Sequence, residues 1–156
     1  MDQVICNGTS TSTVNFTGTG TTYTWTNTNT IVGLAASGTG NIPSFTAINT
    51  GTSPQTATIT VTPVNSLGGT NCNGTPQTFT ITVNPTPTVV DPSDQAVCNG
   101  ALTSAVNFTG TATSYTWTNN NSSIGLVASG TGNITSFTAN NAGNTVITAT
   151  ITVTPV

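Results

Sequence analysis

Very few side chains of this sequence are suited to acid–base, covalent or metal chemistry. Lysine, arginine, histidine and glutamate are absent from its 156 residues, and three aspartates are its only charged residues. General acid–base catalysis, Schiff-base formation and histidine-assisted nucleophilic attack therefore lack the side chains on which they depend. Neutralising the phosphates of a nucleic acid needs cationic side chains, which are also missing. The composition predicts a protein that is neither an enzyme nor a nucleic-acid binder. The residues that remain for chemistry are Asp2, Asp91, Asp94, Cys6, Cys72 and Cys98.

Two of the aspartates form the only candidate for a metal site. Asp91 and Asp94 flank Pro92 and Ser93 in a proline-rich segment. Carboxylate and carbonyl oxygens are the ligands of Ca²⁺, and an ion bound here would stiffen a joint between two domains. Two carboxylates are few for such a site, and solvated charges are the simpler interpretation. We expect no cofactor, with calcium at Asp91 and Asp94 as the alternative.

An internal repeat encodes the elements that must position these residues. Residues 1–64 and 93–156 align at a constant offset of 92 positions without insertion or deletion, and 44 of the 64 aligned positions are identical. The segment at 65–92 has no second copy. Prolines near its end favour a stiff, extended connection. The sequence therefore predicts two domains, residues 1–84 and 93–156, joined by a proline-rich linker at 85–92.

Threonine alternates with apolar residues in both copies, and such alternation is typical of strands with one buried and one solvent-facing side. No window has a helical period. Short strands about ten residues apart, separated by Gly, Asn, Pro and Ser turns, favour a β-sandwich. We therefore predict an all-β fold of two tandem sandwiches, with about seven strands in a complete repeat. The predicted strands of the first domain cover residues 3–6, 13–17, 22–26, 31–36, 42–48, 56–62 and 77–83.

The same alternation separates the expected core from the expected surface, which consists of threonine and asparagine rows. The predicted core of the first domain is Val14, Phe16, Tyr23, Trp25, Leu34, Phe45, Ala57, Ile59, Val61, Phe79, Ile81 and Val83. The predicted core of the second is Val106, Phe108, Tyr115, Trp117, Leu126, Phe137, Ile151 and Val153.

The cysteines suggest a cross-link in the first domain only. Cys6 lies on the first predicted strand and Cys72 just before the last, so a disulfide between them would tie the two ends of the domain together. Closing a loop of about 66 residues would stabilise the domain by about 4 kcal/mol in the loop-entropy model. Buried free thiols are the alternative. Cys98 takes the place of Cys6 in the second copy, and we expect it to be unpaired in this chain.

The second domain has no counterpart of the last predicted strand, because residues 77–83 lie in the segment that is not repeated. A sandwich without one strand exposes apolar core and an unpaired edge, which favours addition of a strand. Two hypotheses stay open. Either residues following the second domain in a longer array complete it, or a strand from a neighbouring chain fills the gap and the chains join head to tail.

The repeated motifs resemble a known family. The segments VCNG, VNFTGT, YTWTN, SGTGNI, TATITVTP and TFTITVNPTPTV are similar to those of PKD-like, immunoglobulin-like repeats in very long secreted surface proteins of gliding-type bacteria. The resemblance covers essentially the whole chain. It implies an immunoglobulin-like sandwich at the bacterial cell surface, without catalytic residues, that serves as a stalk, adhesin repeat or filament unit. The paired cysteines of the family map onto Cys6 and Cys72, and Cys98 is left without a partner.

The resemblance also implies the partners of the chain, which would be neighbouring repeats or identical subunits and, at the end of an array, host or environmental surfaces. No apolar run approaches the length needed to span a bilayer. The alternative function is a surface-binding module for glycan or ice that uses the Thr/Asn-rich outer face. Tyr23, Trp25, Tyr115 and Trp117 would suit sugar stacking, but their alternation with threonine favours core packing instead.

Overall fold

Nine strands and two single-turn 3-10 helices make up the regular structure in a computed structural model that describes residues 1–156, except for the side chain of Leu67. The predicted all-β class is confirmed. The first compact unit, Met1–Thr86, and the second, Pro87–Val156, each have their own sheet and core. The strands of the first unit are β1 (Gln3–Cys6), β2 (Thr22–Asn27), β3 (Ser37–Thr39), β4 (Gln55–Leu67), β5 (Thr70–Asn73) and β6 (Gln77–Asn84); those of the second are β7 (Tyr115–Asn119), β8 (Ser129–Thr131) and β9 (Ile151–Pro155).

The main sheet of the first unit has the order β1-β6-β4-β2-β3, and β5 pairs with the end of β4. All neighbours are antiparallel except β1 and β6, which are parallel. A second layer consists of two extended segments that meet through isolated bridges, Ser10 with Thr46 and Val14 with Ile42. The two layers enclose the core and form the predicted sandwich.

The second unit repeats this plan with fewer strands. Its sheet has the order β8-β7-β9, and isolated bridges join Leu102 to Thr138 and Val106 to Ile134 in the second layer. Residues 87–90, which fall in the predicted linker, belong to this unit. Val89 pairs with Gly110, and the backbone N–H of Val90 donates to the carbonyl of Thr109 at 2.7 Å.

Alternation of side chains fills the core as predicted. Every residue predicted for the two cores lies in, or packs against, the corresponding hydrophobic cluster. Removing the apolar area of these side chains from water is the main favourable term for such a fold. The prediction missed several members of the two clusters, namely Ile5, Val32, Ile42, Ala47, Val89, Ile124 and Ile134.

The predicted strand at 31–36 is wrong, because local polar contacts favour a helical turn there. Thr30–Val32 is a 3-10 helix, capped at its start by Asn29, whose side-chain oxygen accepts from the backbone N–H of Ile31 at 3.2 Å. Gly33 ends the turn at a φ of 96°, a left-handed conformation that glycine adopts without steric cost. The same turn recurs at Ser122–Ile124.

Further differences concern the number and extent of the strands: β3 was not predicted, and β4 continues to residue 67, beyond the predicted strand at 56–62. The predicted strands at 13–17 and 42–48 are extended segments with isolated bridges and not ladder strands. The strand β5 was not predicted at all. It forms a hairpin with β4 through Gly68 and Gly69, a dipeptide typical of tight hairpin turns.

Candidate functional site

In the first unit, β6 fills the position between β1 and β4. It runs parallel to β1, with Gln3 opposite Ile81, and antiparallel to β4, with Ala57 opposite Ile81. Its apolar side chains point inward, and Phe79, Ile81 and Val83 are 8%, 0% and 0% exposed. The core of the first unit is therefore closed by this strand.

The second unit contains the counterparts of both neighbours of β6, but no strand lies between them among the residues that the structure describes. Residues 95–98 correspond to β1 and residues 147–153 to the first half of β4. Residues 95–98 form no strand, and β9 pairs only with β7 in the described chain. We call this gap, bounded by residues 94–98 and 147–153, the open strand position.

Side chains beside the open strand position are less buried than their counterparts in the first unit. Ala57 and Ile59 are completely buried, whereas the equivalent Ala149 and Ile151 are half-buried. Val97, the counterpart of the half-buried Ile5, is 45% exposed. Apolar surface that β6 covers in one unit thus faces solvent in the other.

Two polar side chains contact the backbone of β6 in the first unit. The Asp2 carboxylate accepts from the backbone N–H of Thr80, in the middle of the strand, at 2.8 Å, and this hydrogen bond lowers the pKa of Asp2. Near the end of the strand, the side-chain amide of Asn49 donates to the carbonyl of Val83 at 2.7 Å. These two contacts help to fix the position of β6.

The second unit retains the contacts of one of these two groups. Asn141, the counterpart of Asn49, donates from its side chain to the carbonyl of Thr145 at 2.9 Å, as Asn49 does to Ser53. Its backbone N–H donates to the Asn99 side chain at 2.8 Å, the same contact that Asn49 makes with Asn7. The side chain of Asn141 is thus oriented as in the first unit.

A shallow groove lies on the first unit, and residues 88–90 cover the equivalent face of the second. The groove encloses about 400 Å³ and is lined by Met1, Phe16, Tyr23, Phe79 and other residues. In the second unit Val89 packs against the core cluster that contains Phe108. Phe108 is buried, whereas its counterpart in the first unit, Phe16, is half-buried. The two units therefore expose apolar residues on different faces.

The outward side of the main sheet carries threonines in register across three strands. Thr26, Thr60 and Thr78 lie opposite one another on β2, β4 and β6, and the hydroxyl oxygens of Thr56 and Thr82 are 3.0 Å apart. Neighbouring strands in a sheet are about 4.8 Å apart. We call this surface the threonine face; it comprises Thr24, Thr26, Thr56, Thr58, Thr60, Thr62, Thr78, Thr80 and Thr82.

The predicted Cys6–Cys72 disulfide does not form in the structure, in which Cys6, Cys72 and Cys98 are free, exposed thiols. Cys6 pairs with Asn84 at the end of β6, and the adjacent Val83 pairs with Gln55 at the start of β4. Cys72 pairs with Asn65, near the other end of β4. Ten residues of strand separate Gln55 from Asn65, which is about 30 Å. A disulfide needs Cα atoms within about 7 Å, so the register of β4 excludes this bridge. The alternative of buried free thiols is also wrong, because the thiols are exposed.

The predicted calcium ligands Asp91 and Asp94 are both exposed side chains of the second unit. Within the described chain, no cluster of three or more aspartate or cysteine side chains surrounds them. Asp94 instead lies at the edge of the open strand position as the counterpart of Asp2. The contact of Asp2 with the backbone of Thr80, which the sequence pattern alone did not reveal, has no counterpart at Asp94 among the described residues.

The aromatic residues considered for sugar stacking belong to the cores. Trp25 and Trp117 are 7% and 6% exposed, and each packs flat over a glycine, Gly38 or Gly130. Their indole N–H groups have no hydrogen-bond partner among the described atoms. Tyr23 and Tyr115 are half-buried beside phenylalanine rings, with ring centroids 5.6 Å apart. A stacking platform that includes the tryptophans is therefore excluded.

No helix in the described residues has the length and apolar character needed to span a membrane.

Comparison with known proteins gives one family. A family model described as "PKD-like domain" matches residues 3–87, which include the whole of β1 to β6. No curated protein matches the chain.

Proposed function

The chain belongs to the family of PKD-like domains, and we propose that it is a non-catalytic structural repeat of a secreted bacterial cell-surface protein. In this role it serves as a stalk, adhesin repeat or filament unit that spaces other modules from the cell. Its partners are neighbouring repeats or identical subunits, which join it head to tail, and host or environmental surfaces at the end of the array.

One observation carries this proposal: the scaffold is reproduced contact by contact at an offset of 92 residues. The pair formed by Gln3 and Ser12 recurs as Gln95 and Ser104, with each glutamine donating to the serine carbonyl at 3.1 Å. The Asn7–Asn49 contact recurs as Asn99–Asn141. Repeated units of this kind build arrays whose length follows from the number of copies.

The composition supports an extracellular role. The chain has no lysine or arginine, so trypsin-like proteases find no cleavage site in it. Edge strands usually carry charged residues that prevent pairing with other chains. Their absence here suits units whose edges are covered by neighbours.

Immunoelectron microscopy of intact source cells tests the proposal. Antibodies against the two-unit chain are expected to label extended material outside the cell, and trypsin treatment of the cells is expected to leave this epitope intact. Label confined to the cell interior would overturn the proposal.

A second candidate function is binding of glycan or ice, and the in-register threonine face favours it. Regular rows of hydroxyl and methyl groups are suited to contact with an ordered surface. The test combines a glycan array with a thermal hysteresis measurement on the two-unit chain. Hysteresis equal to that of buffer, together with an array without signal, would remove this candidate and leave the structural repeat.

A further inference from the structure

We propose that residues 87–90, which we call the strap, are a detachable part of the second unit. Under tension along the chain the strap leaves the unit first, while the sheet of the unit stays folded, and so lengthens the connection between the repeats. The inference rests on the proposed function, because a stalk or filament unit is loaded along its chain.

Few backbone contacts hold the strap. The N–H of Val90 donates to the carbonyl of Thr109 at 2.7 Å, and the N–H of Thr111 donates to the carbonyl of Thr88 at 3.2 Å. The strap forms one isolated bridge, whereas β7 pairs with β9 over five residues and with β8 over three. Segments with few hydrogen bonds and few buried contacts open at a lower free energy than core strands.

Prolines limit the strap on both sides. Pro87 and Pro92 have no backbone N–H and cannot extend the pairing. Residues 91–94 make no hydrogen bond within the described chain. The next residue that hydrogen bonds hold in place is Gln95, whose side chain donates to the carbonyl of Ser104 at 3.1 Å and accepts from its N–H at 2.8 Å. Detachment as far as residue 94 therefore breaks only the hydrogen bonds of residues 88–90.

A pair of threonines aligns the strap with its partner segment. The backbone N–H of Thr88 donates to the hydroxyl of Thr111 at 2.9 Å, and the two hydroxyl oxygens are 3.1 Å apart. Both residues are exposed. Exposed groups exchange such bonds for bonds to water at little net cost, so the pair breaks and re-forms easily.

Val89 is the one apolar contact of the strap with the core. It is half-buried and packs at the margin of the cluster that contains Phe108, whereas the neighbouring Val90 is 62% exposed. In the first unit the equivalent face carries the open groove beside Phe16, and the core behind it is formed. A covered face is therefore not a condition for this core to fold.

The strap is the first part of the second unit that a load from the first unit reaches. The chain leaves the first unit at Thr86, whose hydroxyl accepts from the Asn7 side chain at 3.0 Å, and enters the second at Pro87. Release would move the point of attachment from Thr88 to Gln95. It would free at most about 25 Å of chain, since an extended residue spans about 3.5 Å.

Amide hydrogen exchange on the full chain tests detachment at rest. The N–H of Thr111 bonds only to the strap, and we expect it to be protected, but less than the amides of β7 and β9 and with a weaker dependence on urea. Val89→Thr is expected to lower this protection roughly tenfold, because the apolar contact of a half-buried valine is lost. Val90→Thr changes the exposed neighbour and should leave the protection of Thr111 unaltered.

Stretching single full-length chains tests release under load. We expect a first, reversible step of at most about 25 Å before the second unit unfolds. Gly110→Ala is expected to abolish this step, because a Cβ there would overlap the carbonyl oxygen of Thr88 and displace the strap. The matched control is Gly18→Ala, at a φ of 147° against 153° for Gly110, where the nearest atom to a Cβ is the Tyr23 hydroxyl oxygen at 3.3 Å. This control should keep the step.

Two outcomes would refute the strap. One is a first step of roughly 200 Å, which corresponds to unfolding of the whole second unit. The other is protection of Thr111 equal to that of the β7 amides. Either result together with extended arrays outside the cell would leave the proposed function intact. Label confined to the cell interior, together with the short step, would instead overturn the function and leave the detachment of the strap standing.

Discussion

Packing in the second unit leaves no room for a Cβ atom at Gly130. A Cβ at this position would lie 2.3 Å from Cζ2 of the Trp117 ring, far inside contact distance. The first unit also has a glycine at the equivalent position, Gly38, where a Cβ would lie 2.2 Å from Cζ2 of Trp25. Glycine is therefore required on β3 and β8 because a tryptophan covers the strand.

We expect Gly130→Ala to destabilise the second unit by about 1–3 kcal/mol, the usual cost of overpacking a core. Gly143→Ala is the matched control, since its Cβ would meet only the Asn141 side-chain oxygen at 3.4 Å. Urea unfolding followed by tryptophan fluorescence, in a Trp25→Phe background that leaves Trp117 as the reporter, measures both. Equal stability of the two variants would contradict the packing described for Trp117.

Asp2 makes the stability of the first unit depend on acidic pH. The hydrogen bond from the backbone N–H of Thr80 lowers the pKa of Asp2 in the folded state. Unfolded chains therefore bind the proton more readily. The contribution of Asp2 is fully present above the ordinary aspartate pKa of about 3.9 and is lost as the pH falls through the lower folded value.

The corresponding experiment compares urea unfolding of the unaltered chain and of Asp2→Asn from neutral to strongly acidic pH. The unaltered chain is expected to lose stability in the first unit below about pH 4, and the variant to show a flatter profile. Asp91→Asn serves as the control. A first unit whose acid dependence survives Asp2→Asn would show that this carboxylate is not responsible.

The strand β6 has neighbours on both sides, β1 and β4, and its inward side chains are part of the core of the first unit. Ile81 at its centre is completely buried and lies between Gln3 and Ala57. The adjacent Thr82 points to the other side of the sheet and contacts Thr56. Two neighbouring residues of one strand thus have opposite environments.

Ile81→Ala is expected to destabilise the first unit by about 2–5 kcal/mol, from lost burial and the cavity left behind. The partly exposed Thr82→Ala should cost about 0.5 kcal/mol or less. Chemical denaturation of each variant measures its free energy of unfolding. Similar losses for both would mean that β6 does not close the core.

Period-two alternation predicted β2 and β6 almost to the residue and the first half of β4, because each has threonine on one side and apolar residues on the other. It missed the second half of β4, where the sequence PVNSL does not alternate in this way. It failed at residues 31–36, where the side-chain contact of Asn29 and the conformation of Gly33 outweigh the β propensity of Ile31 and Val32. The contact of Asp2 also could not be predicted. A contact between a carboxylate and a backbone 78 residues away, as for Asp2 and Thr80, leaves no local pattern.

The two units differ in how much core they have. Eleven buried residues form the cluster of the first unit and four that of the second, although 44 of the 64 aligned positions are identical. Because residues 77–83 have no counterpart in the second copy, the repeat predicted the open strand position. It did not predict which faces of the second unit would expose apolar side chains. That result depends on residues 88–90, which cover one face of the second unit.

We therefore expect two separate unfolding transitions for the whole chain, with the second unit unfolding at lower urea concentration. Hydrogen exchange resolved by peptide should assign the first transition to residues 87–156. A single cooperative transition for both units would contradict the unequal cores.

The parallel pairing of β1 with β6 has a mechanical consequence. A pull on the ends of the first unit acts on the start of β1 and the end of β6, in opposite directions along two strands that run side by side. The load then falls on all hydrogen bonds of the pair at once, as in shear, and does not open them one after another. Under tension the first unit is expected to hold at forces that already extend the second, whose described strands β7, β8 and β9 pair only antiparallel.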